Sequence, residues 1–282
     1  MNKIIWIVFL FAQVCLGIEN QGHKWPSPKV VLRKELVVNK MYQDAKLGKL
    51  RSWVPTSLPG QRSSEFYKWV GEKSFSPKVN IYASNFSASC FEIVLLYAYM
   101  TGAIDKEWLS KAVKSLETEV NSASKNKVLI WQKSWISILT NPNYKIELYL
   151  RGPKDPESLK SYISFMSDVE AKNYSELNEN RANQDRIFPR KGDIVFFNPF
   201  SNKPEMQFKS FDHVAIATGN KISVGKNFEA EILSFYGNSR NSETPIKITT
   251  IERMLDADSL IKRTPIEGGD RVVFFATPAW EN

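Results

Sequence analysis

Cys90 and His213 are the two side chains whose chemical types and positions could support covalent catalysis. A thiol becomes a nucleophile when a base takes its proton and a local field favours the thiolate. Cys90 lies in the stretch NFSASCFEIVLLYAYMTGAI, residues 85 to 104. The Ser89-x-x-Glu92 spacing reads as a capping box, with Ser89 at the N-cap, Cys90 at the first helical position and Gly102 near the C-cap. The free N–H groups and dipole of a helix start can lower a thiol pKa from about 8.5 to roughly 3.5 to 7.5. The competing account makes Cys90 a small, inert, buried hydrophobe, the commoner fate of a single cysteine.

The base has to be a histidine, and the chain has 2. His23 falls in a proline-rich stretch near the start, poorly suited to a rigid site. His213 opens the strand pattern HVAIATGN, 123 residues after the cysteine (213 − 90), so the two can meet only through the fold. Strand alternation puts His213, Ala215 and Ala217 on one face and Val214 and Ile216 on the other. The alanines would let a helix come close on the histidine side, while Val214 and Ile216 fill the core opposite. The alternative for His213 is a half-exposed residue hydrogen-bonded at a strand start. A third polar group normally orients the imidazole. In EAEILSFYGNSRN it is Ser234 or Asn238, of which Asn238 is preferred, although Asn238 reads equally well as a turn residue. The oxyanion donors would be the Cys90 backbone N–H and the side chain of Asn85 or Ser87.

These groups need elements to hold them. From Cys90 to Gly102 the helix has no polar face, which marks it as buried all round. Further helices are expected over 37 to 45, 63 to 70, 106 to 122, 131 to 139 and 156 to 172, and a strand in NYKIELYLRG. After NENRANQDR the pattern changes to strands: 193 to 197, 213 to 218 closed by Gly219-Asn220, one in AEILSFYGN and a last in DRVVFFATP. Helices first and antiparallel strands later predict an α+β domain.

The opening MNKIIWIVFLFAQVCLGIENQG has one lysine before a short apolar run and small residues Cys15 and Gly17, the pattern of an export signal rather than a membrane span. Its removal takes Cys15 away and leaves Cys90 without an intrachain disulfide partner. The expected organisation is a signal over 1 to 17, a basic, proline-bearing extension or pro-segment over 18 to 80, and a catalytic domain over 81 to 282 with a helical insertion at about 105 to 185. The net charge of +8 suggests an anionic surface as partner. No run of five like charges marks a nucleic-acid arm, and nothing is long enough for a transmembrane segment. One thiol and two histidines cannot build a Cys/His zinc centre, and no phosphate-binding Gly-Lys loop occurs, so no metal or cofactor is expected. Asn85 and Asn173 each stand in a glycosylation sequon, and a glycan at Asn85 would crowd Cys90.

The cysteine on a buried helix, followed by GDIVFF, HVAIATGN and a further strand bearing a polar residue, resembles the papain-like cell-wall cysteine hydrolases of the NlpC type and the related CHAP amidases. The resemblance implies a papain-like core, a buried helix on an antiparallel sheet, with a Cys-His-polar triad in which Cys90 matches the nucleophile and His213 the base. It departs at the nucleophile, where the common Asp-Cys-Ser-Gly is Ser-Cys-Phe-Glu, and in the long helical segment before the strands. The implied activity is that of an exported thiol hydrolase, a cysteine peptidase or amidase cutting peptidoglycan peptides. A secreted effector acting on a protein by proteolysis, deamidation or acyl transfer is a second reading. A catalytically silent exported binding protein is a third.

Overall fold

The computed structural model describes residues 28–48, 65–71, 86–123, 127–141, 143–144, 147–150, 187–198, 213–225, 227–235, 246–256 and 272–280. The helices among them are α1 (Pro28–Leu47), α2 (Glu65–Gly71), α3 (Cys90–Met100), α4 (Lys106–Ser122), α5 (Lys127–Leu139) and α6 (Ile251–Asp256). The strands are β1 (Glu147–Leu150), β2 (Ile194–Asn198), β3 (His213–Val224), β4 (Asn227–Phe235), β5 (Ile246–Thr250) and β6 (Val272–Ala276). All six join one antiparallel sheet in the order β1-β6-β2-β3-β4-β5, so the molecule is α+β. No described helix is long and apolar enough to cross a membrane. The segment 1 to 17 and the helix expected over 156 to 172 lie outside the described residues.

Helix α3 forms where the capping box predicts. Ser89 Oγ accepts from the Glu92 N–H, and the Ser89 N–H donates to Glu92 Oε2 at 2.7 Å, which satisfies two orphan donors of the first turn. Thr101 is the C-cap and Gly102 follows it. Every residue from Cys90 to Ala98 is buried, as the missing polar face requires. Around α3 gather Leu109, Val113 and Leu116 of α4, Trp131 and Trp135 of α5, and Phe66 of α2. At roughly 1.5 to 3 kcal/mol per buried large apolar side chain, this cluster dominates the fold's stability.

Alternation divides the sheet cleanly. Ile194, Phe196, Val214, Ile216, Leu233 and Phe235 join the helical cluster on one face. Val195, Phe197, Ala215, Ala217, Ile232, Val273 and Phe275 form a second cluster on the other, with Tyr149 and Ile251. On this second face the Tyr149 hydroxyl of edge strand β1 donates to the Glu252 carboxylate of α6, which packs on β4 and β5. In a flat sheet β1 and β4 would be roughly 19 Å apart at about 4.8 Å per strand, beyond the reach of two side chains. The sheet is therefore curled, with Ala215, Ala217 and Ala230 giving its concave side the room that the curl needs.

Strand β3 does not stop at Gly219-Asn220. It runs to Val224, with a register shift between Ala217 and Lys221. The Gly-Asn pair belongs to a bulge rather than a closing turn: between Ala217 and Lys221 three residues of β3 stand against one of β4, and Gly219 at φ 81° admits the two extra residues. Thr218 Oγ1 and Asn220 Nδ2 both donate to Glu231 Oε2 of β4, at 2.8 and 2.7 Å, and fasten the bulge. The strand β5 and helix α6 are absent from the sequence-based expectation; they follow each other without a turn residue between them.

Helix α1 exceeds the expected 37 to 45 at both ends and lies within the segment read as an extension. Val37, Val38 and Met41 are fully part of the helical cluster. Lys34, 2% exposed, pairs with Asp193 just before β2. Gly192 at φ 82° makes this approach possible, since a Cβ there would lie 2.5 Å from Lys34 Cβ. Tyr97 of α3 donates its hydroxyl to Asp44 Oδ2 at 3.0 Å. This part of the 18 to 80 segment is thus built into the core.

Candidate active site

Cys90 occupies the first position of α3, where the dipole of the helix start favours an anion. Two local features oppose activation. The thiol is 1% exposed inside the apolar cluster, and burial in apolar surroundings raises a thiol's pKa. Glu92, buried two residues along, brings a carboxylate back to the Ser89 N–H at the same helix start, which disfavours a second anion there.

His213 is the first residue of β3, directly opposite Phe197 of β2, whose ring centroid lies 5.7 Å from the imidazole. Its Nε2 and Ser234 Oγ are 2.6 Å apart. Ser234 stands opposite Ala215 on β4, diagonal to His213 and on the same face. Burial of the imidazole lowers its pKa from 6.5 to about 4. At neutral pH the ring is therefore uncharged, the form that can accept a proton.

Of the expected orienting residues, the structure brings Ser234 to His213; the preferred Asn238 lies outside the described residues. So does Asn85, one of the two expected oxyanion donors. Ser87, the other, is engaged at the start of α2: its Oγ accepts from the Glu65 N–H and its carbonyl from the Phe66 N–H, both at 3.2 Å. A helix does come close on the alanine side, but it is not the one that carries Cys90. Helix α3 packs against the face carrying Val214 and Ile216, whereas His213 and Ser234 belong to the concave face with Phe197 and Ala215. The alanine side is covered by the short α6 through Ile251 instead. The physical reason is volume: a helix apolar on every side fills its contact best against Val and Ile, and the alanines serve the curl.

Among the described residues no cluster of three His, Cys, Asp or Glu could hold a metal ion. No protein-family model matches the chain, and neither curated proteins nor solved structures show a match.

Proposed function

We propose that the chain is an exported thiol hydrolase on a papain-like scaffold, acting on an amide bond, most simply a peptide link of peptidoglycan. The observation that carries this reading is the 2.6 Å hydrogen bond between His213 Nε2 and Ser234 Oγ. It gives the histidine an orienting partner on the neighbouring strand; with Nε2 so engaged, Nδ1 is the nitrogen that would exchange a proton with the thiol. Because His213 is the first residue of β3 and issues from the concave face, thiol and imidazole must meet around the end of the sheet where β3 begins, not through its face.

In the reaction, Nδ1 of the neutral imidazole takes the Cys90 proton and the sulfur attacks the amide carbonyl carbon. The tetrahedral oxyanion accepts from the Cys90 backbone N–H. On its collapse the C–N bond breaks, the imidazolium returns the proton to the leaving amine, and a thioester remains. A water molecule, deprotonated by the same histidine, then releases the acid and restores the thiol. The positive charge of the chain would hold it against an anionic wall.

The placement of α3 and His213 on different faces, together with the buried thiol, favours a second reading: an exported binding protein that keeps the scaffold without the chemistry. Iodoacetamide labelling between pH 5 and 9 separates the two. The hydrolase labels quickly at mildly acidic pH and loses that reactivity in His213→Ala. A binding protein labels slowly throughout, with no effect of His213→Ala. Mass spectrometry of purified sacculi and of a protein mixture, each incubated with wild type and with Cys90→Ala, then identifies the substrate. No Cys90-dependent product in either pool eliminates the hydrolase.

A further inference from the structure

Beyond the bulge, the β3–β4 hairpin leaves the core. Along β3 the burial changes from continuous between Val214 and Thr218 to mostly exposed between Gly219 and Val224. Two of the exposed large hydrophobic side chains sit on this outer half: Val224 at 38% and Phe228 at 56%. Phe228 pairs with Ser223, so it shares that residue's face, whereas Val224, one position on, projects from the other. The tip therefore presents apolar groups on both of its sides.

We propose that this hairpin tip is a membrane-surface anchor that dips Val224 and Phe228 into an anionic lipid bilayer. The two-sided arrangement decides the partner. A flat protein surface would meet one face of the hairpin and leave the other side chain in water. A hydrophilic polyanion would gain nothing from either. A bilayer surrounds the tip and takes up both. The electrostatics agree. The hairpin's carboxylates are already engaged, Glu231 by Thr218 and Asn220, and Glu229 by the Thr250 hydroxyl at 2.5 Å. Lys221, whose ammonium lies 4.4 Å over the Phe188 ring, is exposed at the base of the outer half, on a chain of net charge +8. Basic groups close to an anionic leaflet strengthen adsorption, and the effect is screened by salt.

The test is cosedimentation of the exported chain with vesicles of phosphatidylcholine alone and of phosphatidylcholine with phosphatidylglycerol, at low and high salt. Binding is expected to the phosphatidylglycerol vesicles, weakened by salt. The double variant Val224→Ser/Phe228→Ser, checked for folding by circular dichroism, should lower the partition coefficient by about tenfold or more, since two apolar side chains are withdrawn from lipid. The variant Phe228→Trp should bind like the parent and shift its fluorescence to the blue, with quenching by brominated lipid. Absence of vesicle binding overturns the proposal, as does equal binding by the double variant, or binding to a soluble anionic wall polymer without binding to vesicles. Emission of the Phe228→Trp variant that lipid leaves unchanged, relative to the parent's own tryptophan signal, overturns it independently of any folding defect.

Discussion

Replacing Lys34 by methionine keeps most of the side chain's apolar length and removes its charge. In the parent, Lys34 and Asp193 are 2% and 3% exposed and paired, and Asp193 Oδ2 also accepts from the Arg190 N–H at 2.8 Å. Burial lowers the Lys34 pKa below 10.5 even against the attraction of Asp193, so desolvation outweighs the pairing. Breaking such a pair from one side strands a buried charge, at a cost of about 3 to 5 kcal/mol. The backbone bond from Arg190 offsets part of this, so the lower end, about 3 kcal/mol, is expected for Lys34→Met. Removing the second charge as well, in Lys34→Met/Asp193→Asn, should recover most of the loss, because an intact buried pair gains little over neutral groups. Urea unfolding of the parent, both single variants and the double measures the cycle. A loss under about 1 kcal/mol for Lys34→Met, or additive losses in the double, would refute the reasoning. It would also restore the view of α1 as a detachable piece of an N-terminal extension, since Lys34 ties α1 to the turn before β2.

Three further outcomes follow from the structure. The folded pKa of His213, about 4, lies below the unfolded 6.5, so the unfolded state binds more protons between these values. Stability is therefore lost as pH falls from about 6.5 towards 4, by about 1 to 3 kcal/mol after allowance for the residue's partial exposure, and His213→Gln should flatten this slope in pH-dependent unfolding. Ser89→Ala removes the N-cap of α3 and should cost about 1 to 2 kcal/mol in the same assay. Gly219→Ala adds a Cβ 2.9 Å from the Lys191 backbone nitrogen at a φ of 81°, and should cost at least about 1 to 2 kcal/mol by thermal unfolding.

Local patterns carry the parts of the fold that local physics decides. The Ser89 and Glu92 spacing locates the start of α3 to the residue, because a capping box satisfies its own backbone within one turn. The unbroken apolar run identifies α3 as buried, and alternation correctly pairs His213 with the Ala215 face. What alternation cannot supply is which helix covers which face, since parity is a property of one strand and coverage of the whole packing. That is why the sequence alone leaves open which helix covers the alanine side. Gly219-Asn220 looks like a turn because glycine and asparagine favour bulges and turns alike, and only the partner strand distinguishes them. The Lys34–Asp193 pair spans 159 residues, and nothing in either neighbourhood announces the other. For the candidate site, Ser234 is visible as a hydroxyl on the right strand, while its placement beside His213 depends on register.

The bond from Tyr149 to Glu252 has a bearing on how the molecule comes apart. An edge strand usually frays ahead of its neighbours, because only one flank is zipped. Here β1 is zipped to β6 on one flank and clasped from above by a helix belonging to the far margin. Peeling it away means opening the bowl, so the loss of either rim should register at the other, and backbone amides of β1 should exchange with deuterium in step with those of α6 instead of leading them.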